Sequence, residues 1–404
     1  MTSPIEFLRR NAPWLFAGFL LTFSSSFGQT FFIAIFAGDI RQEFGLTNAA
    51  WGGVYAVATM ASAAVMVFAG GLTDKFRVRL IGPVSLIGLA VATSLMSYSS
   101  GIVTLTFAIF LLRLMGQGMM IQTSMVAMSR WFVATRGRAI SIASLGVALG
   151  EAMLPLAFVA LMGWFEWRTL WLAAALFLIF AALVLALVLK AERTPQAMAQ
   201  ESTAVGMFGR NWSRGEALRH WLFWLTLPAL LGPAAWNTAF FFHQVHFAEA
   251  KGWAHFDLVA LFPVFSATAV SSMLLTGWLV DRFGSSRIAG LYLLPMAVGY
   301  FLIGTAQGLD LAAVALIFMG ISVGAGSTMS AALWAEFYGT ANLGRIRAMT
   351  GAFMVLGSAI GPGLCGWLID QGMDLPQQAS GIGAYFVVAA ILGAIGGRRA
   401  ARLL

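Results

Sequence analysis

The sequence predicts an all-α membrane protein with twelve transmembrane helices in two pseudo-symmetric six-helix bundles. Three observations predict this fold: an apolar composition, twelve apolar segments long enough to cross a membrane, and short motifs repeated half a chain apart. Of the 404 residues, 60% are hydrophobic and 10% are charged, whereas soluble domains have about 45–50% apolar and about 25% charged residues. Lipid is therefore the expected solvent for most of the chain.

The formal net charge of +8 does not indicate nucleic-acid binding. Lys and Arg stand as short groups between apolar runs and form no basic cluster on a soluble face. The single cysteine, Cys365, excludes an intramolecular disulfide and a cysteine-based metal site. The sequence also has no Walker motif, no Cys/His cluster and no set of nucleophile, base and acid. We therefore expect neither an enzyme nor a bound cofactor.

Apolar runs of about 20 residues, enough for a helix to cross about 30 Å of hydrocarbon, occur twelve times. They lie near 12–37, 48–71, 80–99, 102–128, 139–163, 169–189, 220–242, 256–280, 287–306, 311–334, 347–369 and 381–397. The first run is too long for a signal-peptide core, so we expect it to be retained. The polar stretch after the sixth run predicts an N-terminal bundle over 1–190, a mobile cytoplasmic linker over 191–219 with room for a short surface helix, and a C-terminal bundle over 220–404.

The distribution of basic residues predicts the orientation, because Lys and Arg in short loops resist translocation. If both termini lie on one side, that side holds twenty basic residues, and the other holds only Arg41, Arg168 and Lys251. An even number of crossings agrees with this arrangement. We therefore expect both termini in the cytoplasm, and the one basic residue left over is Arg113.

Two short motifs recur about half a chain apart. "GGLTDKFRVR" follows the second apolar run and "GWLVDRFGSSR" follows the eighth, so that Asp281 lies 207 positions after Asp74. "GVALGE" in the fifth run is echoed 211 positions later by "GSAIGP" in the eleventh. Halves that repeat with the same topology are typical of a transporter architecture that binds its substrate near the membrane midplane.

The repeated motifs resemble the two copies of the loop signature of the major facilitator superfamily. The matching residues are Gly70, Leu72, Asp74, Lys75 and Arg79 in the first half and Gly277, Leu279, Asp281, Arg282 and Arg287 in the second. Arg113 with Gln117 and Gly118 resembles the superfamily's fourth-helix motif. The resemblance covers the whole chain and implies a multi-pass inner-membrane transporter that works by alternating access.

The loop signature has a physical interpretation as a cytoplasmic gate. Asp74 and Asp281 each follow a helix end, where a carboxylate can accept hydrogen bonds from the next helix or pair with basic groups. Contacts of this kind would break and reform during transport. The alternative is that both aspartates are ordinary helix-terminating acids.

Two segments, "RWFVATRGRAISIASLGVALGEAMLP" and "FFFHQVHFAEAKGW", are similar to bacterial carriers of monocarboxylates, oxalate and formate. The resemblance implies a small organic anion, above all a monocarboxylate, moved together with protons. The chain departs from those carriers, since it has no lysine in the first or eleventh helix and no Asp/Arg pair in the eighth. A proton-coupled efflux carrier for amphipathic compounds is the first alternative. A non-transporting membrane receptor is the second, and it would need a long output domain.

Arg113 and Glu151 are charged residues deep within apolar runs. Arg113 lies 13 residues after Ser100, and Glu151 lies 13 residues after Arg138. This is about 20 Å along a helix, so the two should lie at similar depth on sequential helices and form an ion pair or share a water-linked network. A lone arginine there would cost at least about 2.5–3.5 kcal/mol. Three interpretations remain open: a structural bridge, substrate binding by the donor fork of Arg113, and proton coupling through Glu151.

Four further polar residues are candidates for substrate contact. Gln29 interrupts an aromatic run in the first helix. Trp236 and Asn237 follow Gly232–Pro233, where a missing backbone N–H invites a bend in the seventh helix. His243 near the outer end of that helix could titrate near neutral pH, although it could equally be an ordinary hydrogen-bonding residue. We expect the protein to be a monomer in the bilayer.

Overall fold

The computed structural model describes residues 4–132, 135–191 and 205–404. Within these ranges the chain is helical and has no β-strand. Nine of the described helices are individually long and apolar enough to cross a membrane, and the bent first helix makes ten. Two shorter apolar rods, at 221–242 and 291–305, complete the twelve segments that the sequence predicts.

Six rods precede the linker and six follow it. The first six are α1, Glu6–Gly28 with Thr30–Phe44; α2, Asn48–Ala69; α3, Val78–Ser97; α4, Ile102–Trp131; α5, Arg136–Met162; and α6, Trp167–Val188. The second six are α7, Trp221–Gly232 continuing through Pro233–Asn237 and Thr238–Phe242; α8, His255–Phe283; α9, Leu291–Thr305; α10, Leu309–Tyr338; α11, Leu343–Asp370; and α12, Leu375–Ala401. Short helices at Leu72–Lys75, Arg214–Arg219, Gln244–Lys251 and Ser285–Ile288 lie in the connections.

The chain forms two compact units. Unit 1 comprises Met1–Leu46 and Val54–Glu201, and unit 2 comprises Thr47–Gly53 and Ser202–Leu404. The first turns of α2 are thus grouped with unit 2. Each unit has its own core, and the core of unit 1 includes a cluster of edge-on aromatic rings, which is a favourable arrangement of such rings. This cluster contains Phe27, Phe32, Phe36, Phe158 and Trp171.

α1 is longer than its apolar run predicts and is not straight. It bends by 46° before Thr30. At the bend Gln29 has an extended backbone, with φ −87° and ψ 154°, which interrupts the helical hydrogen bonds. Three serines, at 24–26, and Gly28 precede the bend, and both residue types disfavour the interior of a helix.

Glycines of the repeated motif bring two pairs of helices into close contact. In unit 1, a Cβ at Gly146 of α5 would lie 2.7 Å from the backbone nitrogen of Phe23 on α1. In unit 2, a Cβ at Gly361 of α11 would lie 2.9 Å from the Cα of Ala235 on α7. Small residues permit such backbone approach in membranes. The sequence repeat therefore corresponds to the same kind of packing contact in both units.

Arg41, Arg168 and Lys251, the three basic residues predicted for the non-cytoplasmic side, are each bonded to a backbone carbonyl. Arg168 donates to the carbonyl oxygen of Ser99 at 2.7 Å, and Lys251 donates to that of Ala306 at 2.8 Å. Arg41 makes a longer bond of 3.4 Å to a carbonyl of its own connection. Cations at helix C-termini are favourable because they satisfy the last carbonyls. These three residues thus have structural partners where they lie.

The carboxylate of Asp370 caps the N-terminus of α2 within unit 2. Its Oδ1 accepts hydrogen bonds from the backbone N–H and the side-chain Nδ2 of Asn48, at 3.1 and 3.2 Å. Its Oδ2 accepts from the backbone N–H of Ala49 at 2.8 Å. The first N–H groups of a helix have no partner inside the helix, and a negative charge there complements the helix dipole. No sequence pattern predicted this role for Asp370.

We expect the Asp370→Ala variant to lose about 1–2 kcal/mol of stability, because capped N–H groups are left without an acceptor. Thermal unfolding of the purified protein in detergent measures this change. Glu249→Ala is the matched control, since Glu249 is an exposed acid in another connection. Equal melting temperatures for the two variants would show that the cap contributes nothing.

Part of the predicted linker is described. Residues 205–219 belong to unit 2, are bonded to the turn after α10 through Asn342, and contain the helix Arg214–Arg219, for which the sequence left room. Residues 192–204 lie outside the described ranges.

Candidate functional site

Arg113 lies where α4 departs from regular α-helical geometry. Residues Arg113–Met120 form a π-helical segment, and such segments occur often at functional sites. The side chain of Arg113 is only 2% exposed. Gly116, one turn further on, meets Gly28 at the bend of α1, where a Cβ on Gly116 would lie 2.7 Å from the Cα of Gly28. Two glycines therefore allow α4 to approach α1 at its break.

The guanidinium of Arg113 is held by groups at this break and by α2. Nη1 donates to the carbonyl oxygen of Gly28 at 3.2 Å and to Oγ1 of Thr30 at 3.4 Å. The Tyr55 ring centroid lies 5.4 Å from Cζ of Arg113, and the Tyr55 hydroxyl is 2.5 Å from Thr30 Oγ1. Carbonyl dipoles and an aromatic face both stabilise a desolvated cation. The arginine thus bonds to the backbone that the bend of α1 exposes.

The prediction of a direct ion pair between Arg113 and Glu151 is wrong, and the alternative of a water-linked network stays a prediction. In the part of the chain that the structure describes, the polar partners of Arg113 are Gly28, Thr30 and Tyr55, and none is an acid. Glu151 is half-buried on α5. Its neighbour Gly150 faces Ser26 of α1, and successive residues point about 100° apart around a helix. Similar depth in the membrane therefore did not bring the two charges together.

One nitrogen of this buried cation remains available. Nε of Arg113 is buried and has no hydrogen-bond partner among the described residues. An unpaired donor on a buried charged group is unfavourable. An additional oxygen ligand would satisfy this donor, and an anionic one would also neutralise the charge.

In unit 2, Trp236 and Asn237 lie on a π-helical turn of α7, Pro233–Asn237. The sequence predicts a bend here, and the structure has a π-helical turn at this place. Pro233 has no N–H to donate to the carbonyl of Ala229, and the hydroxyl of Tyr292 donates to that carbonyl instead, at 3.0 Å. Tyr385 similarly donates to the preceding carbonyl, at 2.8 Å.

The turn presents polar atoms that lack partners. Nε1 of Trp236 and Oδ1 of Asn237 are buried and have no hydrogen-bond partner among the described residues. The Trp236 ring meets the ring of Tyr385 edge-on, with centroids 5.7 Å apart. Unit 2 thus offers one unused donor and one unused acceptor on adjacent residues beside an aromatic ring.

His243 is buried, and its Nε2 lies 2.8 Å from the carbonyl oxygen of Pro362 on α11. A carbonyl only accepts, so Nε2 carries the proton of this bond. The contact gives His243 a role in packing α7 against α11, and its substrate role stays a prediction. Gln29 is half-buried at the bend of α1, and its predicted substrate contact stays a prediction as well.

Most of the loop-signature residues lie at the surface, where Arg282 lies over the rings of Trp278 and Phe283. Two residues outside the signature also bond to the backbone there. Arg130 donates to the carbonyl oxygen of Thr73 at 2.8 Å. In unit 2, Oε2 of Glu336 accepts from the backbone N–H of Ser285 at 2.9 Å. The exposed residues of the signature are Lys75, Arg79, Asp281, Arg282 and Arg287, whereas Gly70 and Gly277 are half-buried. The side chain of Asp74 lies outside the described part of the structure.

The tyrosines of both sites were not among the predicted site residues. Tyr55, Tyr292 and Tyr385 all lie in apolar runs, and the whole chain has 6 tyrosines. A tyrosine inside a membrane helix must find a partner for its hydroxyl. Each intramembrane tyrosine was therefore a signal that could have led to these sites.

Comparison with known proteins adds three findings. The family model for the Major Facilitator Superfamily matches residues 18–362 and again 261–403. The multidrug resistance protein B homolog of two Mycobacterium tuberculosis strains is 36% identical over 93 residues. That match spans 23% of this chain and 17% of the relative.

The third finding is a similarity of fold. The chain resembles, over 100% of its length and 98% of the other's, a bacterial homolog of the human lysosomal transporter Spinster in an inward-facing, unoccupied conformation. The TM-score is 0.71 and the sequence identity is 16%. The occupied, inward-facing form of that homolog gives a TM-score of 0.69 at the same identity. At this identity the similarity concerns the fold alone.

Proposed function

Since the chain belongs to the major facilitator superfamily of transporters, we propose that it carries a small organic anion, in the first place a monocarboxylate, by proton-coupled alternating access. The observation that carries this proposal is Arg113, a buried cation whose Nε has no partner and whose described contacts include no acid. Carbonyl and hydroxyl dipoles solvate the guanidinium but leave its charge in place. A substrate carboxylate supplies a negative charge that neutralises the guanidinium, and it accepts hydrogen bonds from the planar donor fork.

Trp236 and Asn237 are proposed as a separate place of substrate contact in unit 2. Nε1 of Trp236 can donate to a keto or hydroxyl oxygen, and Oδ1 of Asn237 can accept from a hydroxyl.

Uptake by the purified protein in liposomes tests the proposed substrate. Labelled pyruvate, lactate, acetate, oxalate and an uncharged amide analogue are compared, with and without an acidic exterior. We expect uptake of at least one acid, stimulation by the inward proton gradient and no uptake of the amide. Equal uptake of the acids and of the uncharged amide would contradict the anion proposal.

Glu151 is the residue to which we assign proton coupling. It is half-buried on the apolar helix α5, and protonation removes the charge that makes movement through a low-dielectric region unfavourable. We expect the Glu151→Gln variant to exchange labelled for unlabelled substrate but to lose stimulation by the proton gradient. Glu166→Gln, an exposed acid, is the control and should keep that stimulation. If the proton gradient still stimulates uptake by Glu151→Gln, proton coupling does not depend on Glu151.

A second candidate function is export of amphipathic compounds. The match to the multidrug resistance protein B homolog favours it, although that match covers less than a quarter of this chain. Expression in a host that lacks its own exporters distinguishes the two functions. An exporter lowers dye retention and raises drug tolerance, whereas the anion carrier changes neither.

We also propose an inner-membrane location with both termini in the cytoplasm. The strong excess of Lys and Arg in the connections on one side supports this orientation. A reporter that fluoresces only in the cytoplasm, fused after Leu404, tests it. A full-length fusion protein that does not fluoresce would contradict the cytoplasmic location of the C-terminus.

A further inference from the structure

Residues 205–213, here called the strap, run across one end of unit 2. The backbone N–H of Trp212 donates to the carbonyl of Tyr338 at the end of α10, at 2.9 Å, and Nδ2 of Asn342 donates to the carbonyl of Trp212 at 3.1 Å. The Trp212 ring is buried, and its Nε1 donates to the carbonyl of Met207 at 3.2 Å. The strap is therefore fastened to the turn between α10 and α11.

Phe208 projects from the strap on a strained backbone. It is the one non-glycine residue with a positive φ, +60°, in the described part of the chain, and this conformation is unfavourable for a bulky residue. Its side chain is 60% exposed. The backbone N–H of Phe208 donates to the carbonyl of Leu403 at 2.8 Å. The exposed apolar side chains of Val205 and Leu404 lie within three chain positions of that bond.

The same part of the chain is rich in basic side chains. Residues 205–219 and 398–404 contain six arginines and one acid, Glu216. Glu216 pairs with Arg210 at 3.0 Å, and hydrogen bonds from Ser213, followed by the charge of Arg210, lower the pKa of Glu216. The remaining five arginines are exposed. They are Arg214, Arg219, Arg398, Arg399 and Arg402.

We propose that the strap and the segment 398–404 form a binding surface for anionic phospholipid headgroups. Phe208, Val205 and Leu404 enter the interfacial layer, and the exposed side chains of Arg398, Arg399 and Arg402 contact lipid phosphates. Exposed apolar side chains together with basic ones favour binding to a negatively charged bilayer surface. The neighbouring α7 favours lipid over a soluble partner, because it begins with the exposed Trp221 and Trp224, and tryptophan is enriched at the membrane boundary.

Spin labelling of the full chain in lipid nanodiscs tests whether this surface lies in the bilayer. Cys365 is replaced by Ser, and a nitroxide is attached at Phe208→Cys or, as a control, at Gly215→Cys. Gly215 is exposed on the short helix, and nothing lies within 4 Å of the Cβ position there. We expect oxygen to relax the label at 208 more than a water-soluble nickel chelate does, because oxygen is concentrated in the bilayer. At 215 the nickel chelate should relax the label more than oxygen does. A nickel-accessible label at 208 would overturn the proposal.

A lipid titration tests the role of the charges independently. The melting temperature of the protein in neutral nanodiscs should rise with added phosphatidylglycerol, because a ligand that binds the folded state stabilises it. In the triple variant Arg398→Gln, Arg399→Gln, Arg402→Gln, the apparent affinity for this lipid should fall by about fivefold per arginine removed. Glycerol phosphate at the same concentration should have no effect. An equal effect of glycerol phosphate, or an unchanged titration of the triple variant, would overturn the proposal.

Discussion

Replacing Arg113 by Gln is expected to abolish saturable uptake of the acid that the parent chain transports. The variant loses the cation that the proposed carboxylate neutralises, and removing one partner of a buried charged pair costs about 2–5 kcal/mol. A loss of 2 kcal/mol is already more than tenfold in affinity. Arg113→Lys keeps the charge without the planar fork, so we expect weakened but measurable uptake.

Arg113 also bonds to the broken helix α1, so loss of uptake alone could reflect misfolding. Stabilisation by substrate separates the two causes, because a bound acid raises the melting temperature of a folded protein. Tyr55→Phe is the structural control: it removes the hydroxyl that contacts Thr30 and keeps the arginine. We expect Arg113→Gln to fold without responding to the acid, and Tyr55→Phe to respond. A substrate-dependent rise in Arg113→Gln would show that the arginine is structural.

The second large effect is expected at Gly361, where Ala should strongly destabilise the protein. The new Cβ would meet the backbone carbonyl, the carbonyl carbon and the Cα of Ala235. Backbone atoms cannot rotate away as a side chain can, so α11 must move away from α7. Overpacking of this kind costs about 1–3 kcal/mol and occasionally more. It would also disturb the turn that carries Trp236 and Asn237.

Gly351→Ala on the same helix is the matched control for this prediction. A Cβ at Gly351 would meet nothing within 4 Å, and alanine favours helix over glycine by about 1 kcal/mol. Thermal unfolding and the monodisperse fraction on size exclusion should therefore be lowered in Gly361→Ala and unchanged or improved in Gly351→Ala. Equal behaviour of the two variants would show that the α7–α11 contact can relax.

Sequence patterns were most informative where they reflect a local physical requirement. The apolar runs predicted where helices lie, because a membrane helix must be about 20 apolar residues long. Gly232 and Pro233 predicted a bend in α7, because the proline lacks a backbone donor, and the structure has a π-helical turn at that place. The same patterns did not reveal the extent of the 46° bend in α1, since Ser and Gly permit a bend without requiring one.

The partners of the charged residues were the least predictable part. Depth along the helices suggested Glu151 as the partner of Arg113, but depth says nothing about which way a side chain points around its helix. The actual partners lie at the break of α1 and on α2, and nothing in the sequence places Thr30 and Tyr55 beside Arg113. Asp370 was missed for a similar reason, because the helix that it caps begins more than 300 positions earlier in the chain.

The sequence by itself determined the solvent, the helical class, the repeat of the two halves and the family resemblance. These properties follow from composition, from apolar length and from motifs that recur at a regular offset. Only the tertiary structure decided which polar atoms meet: the carbonyl that receives Arg113, the tyrosines that complete the turn of α7, and the strap on the end of α10. The physical reason is that hydrogen bonds and close packing depend on angles and distances between helices remote in sequence, which local patterns do not encode.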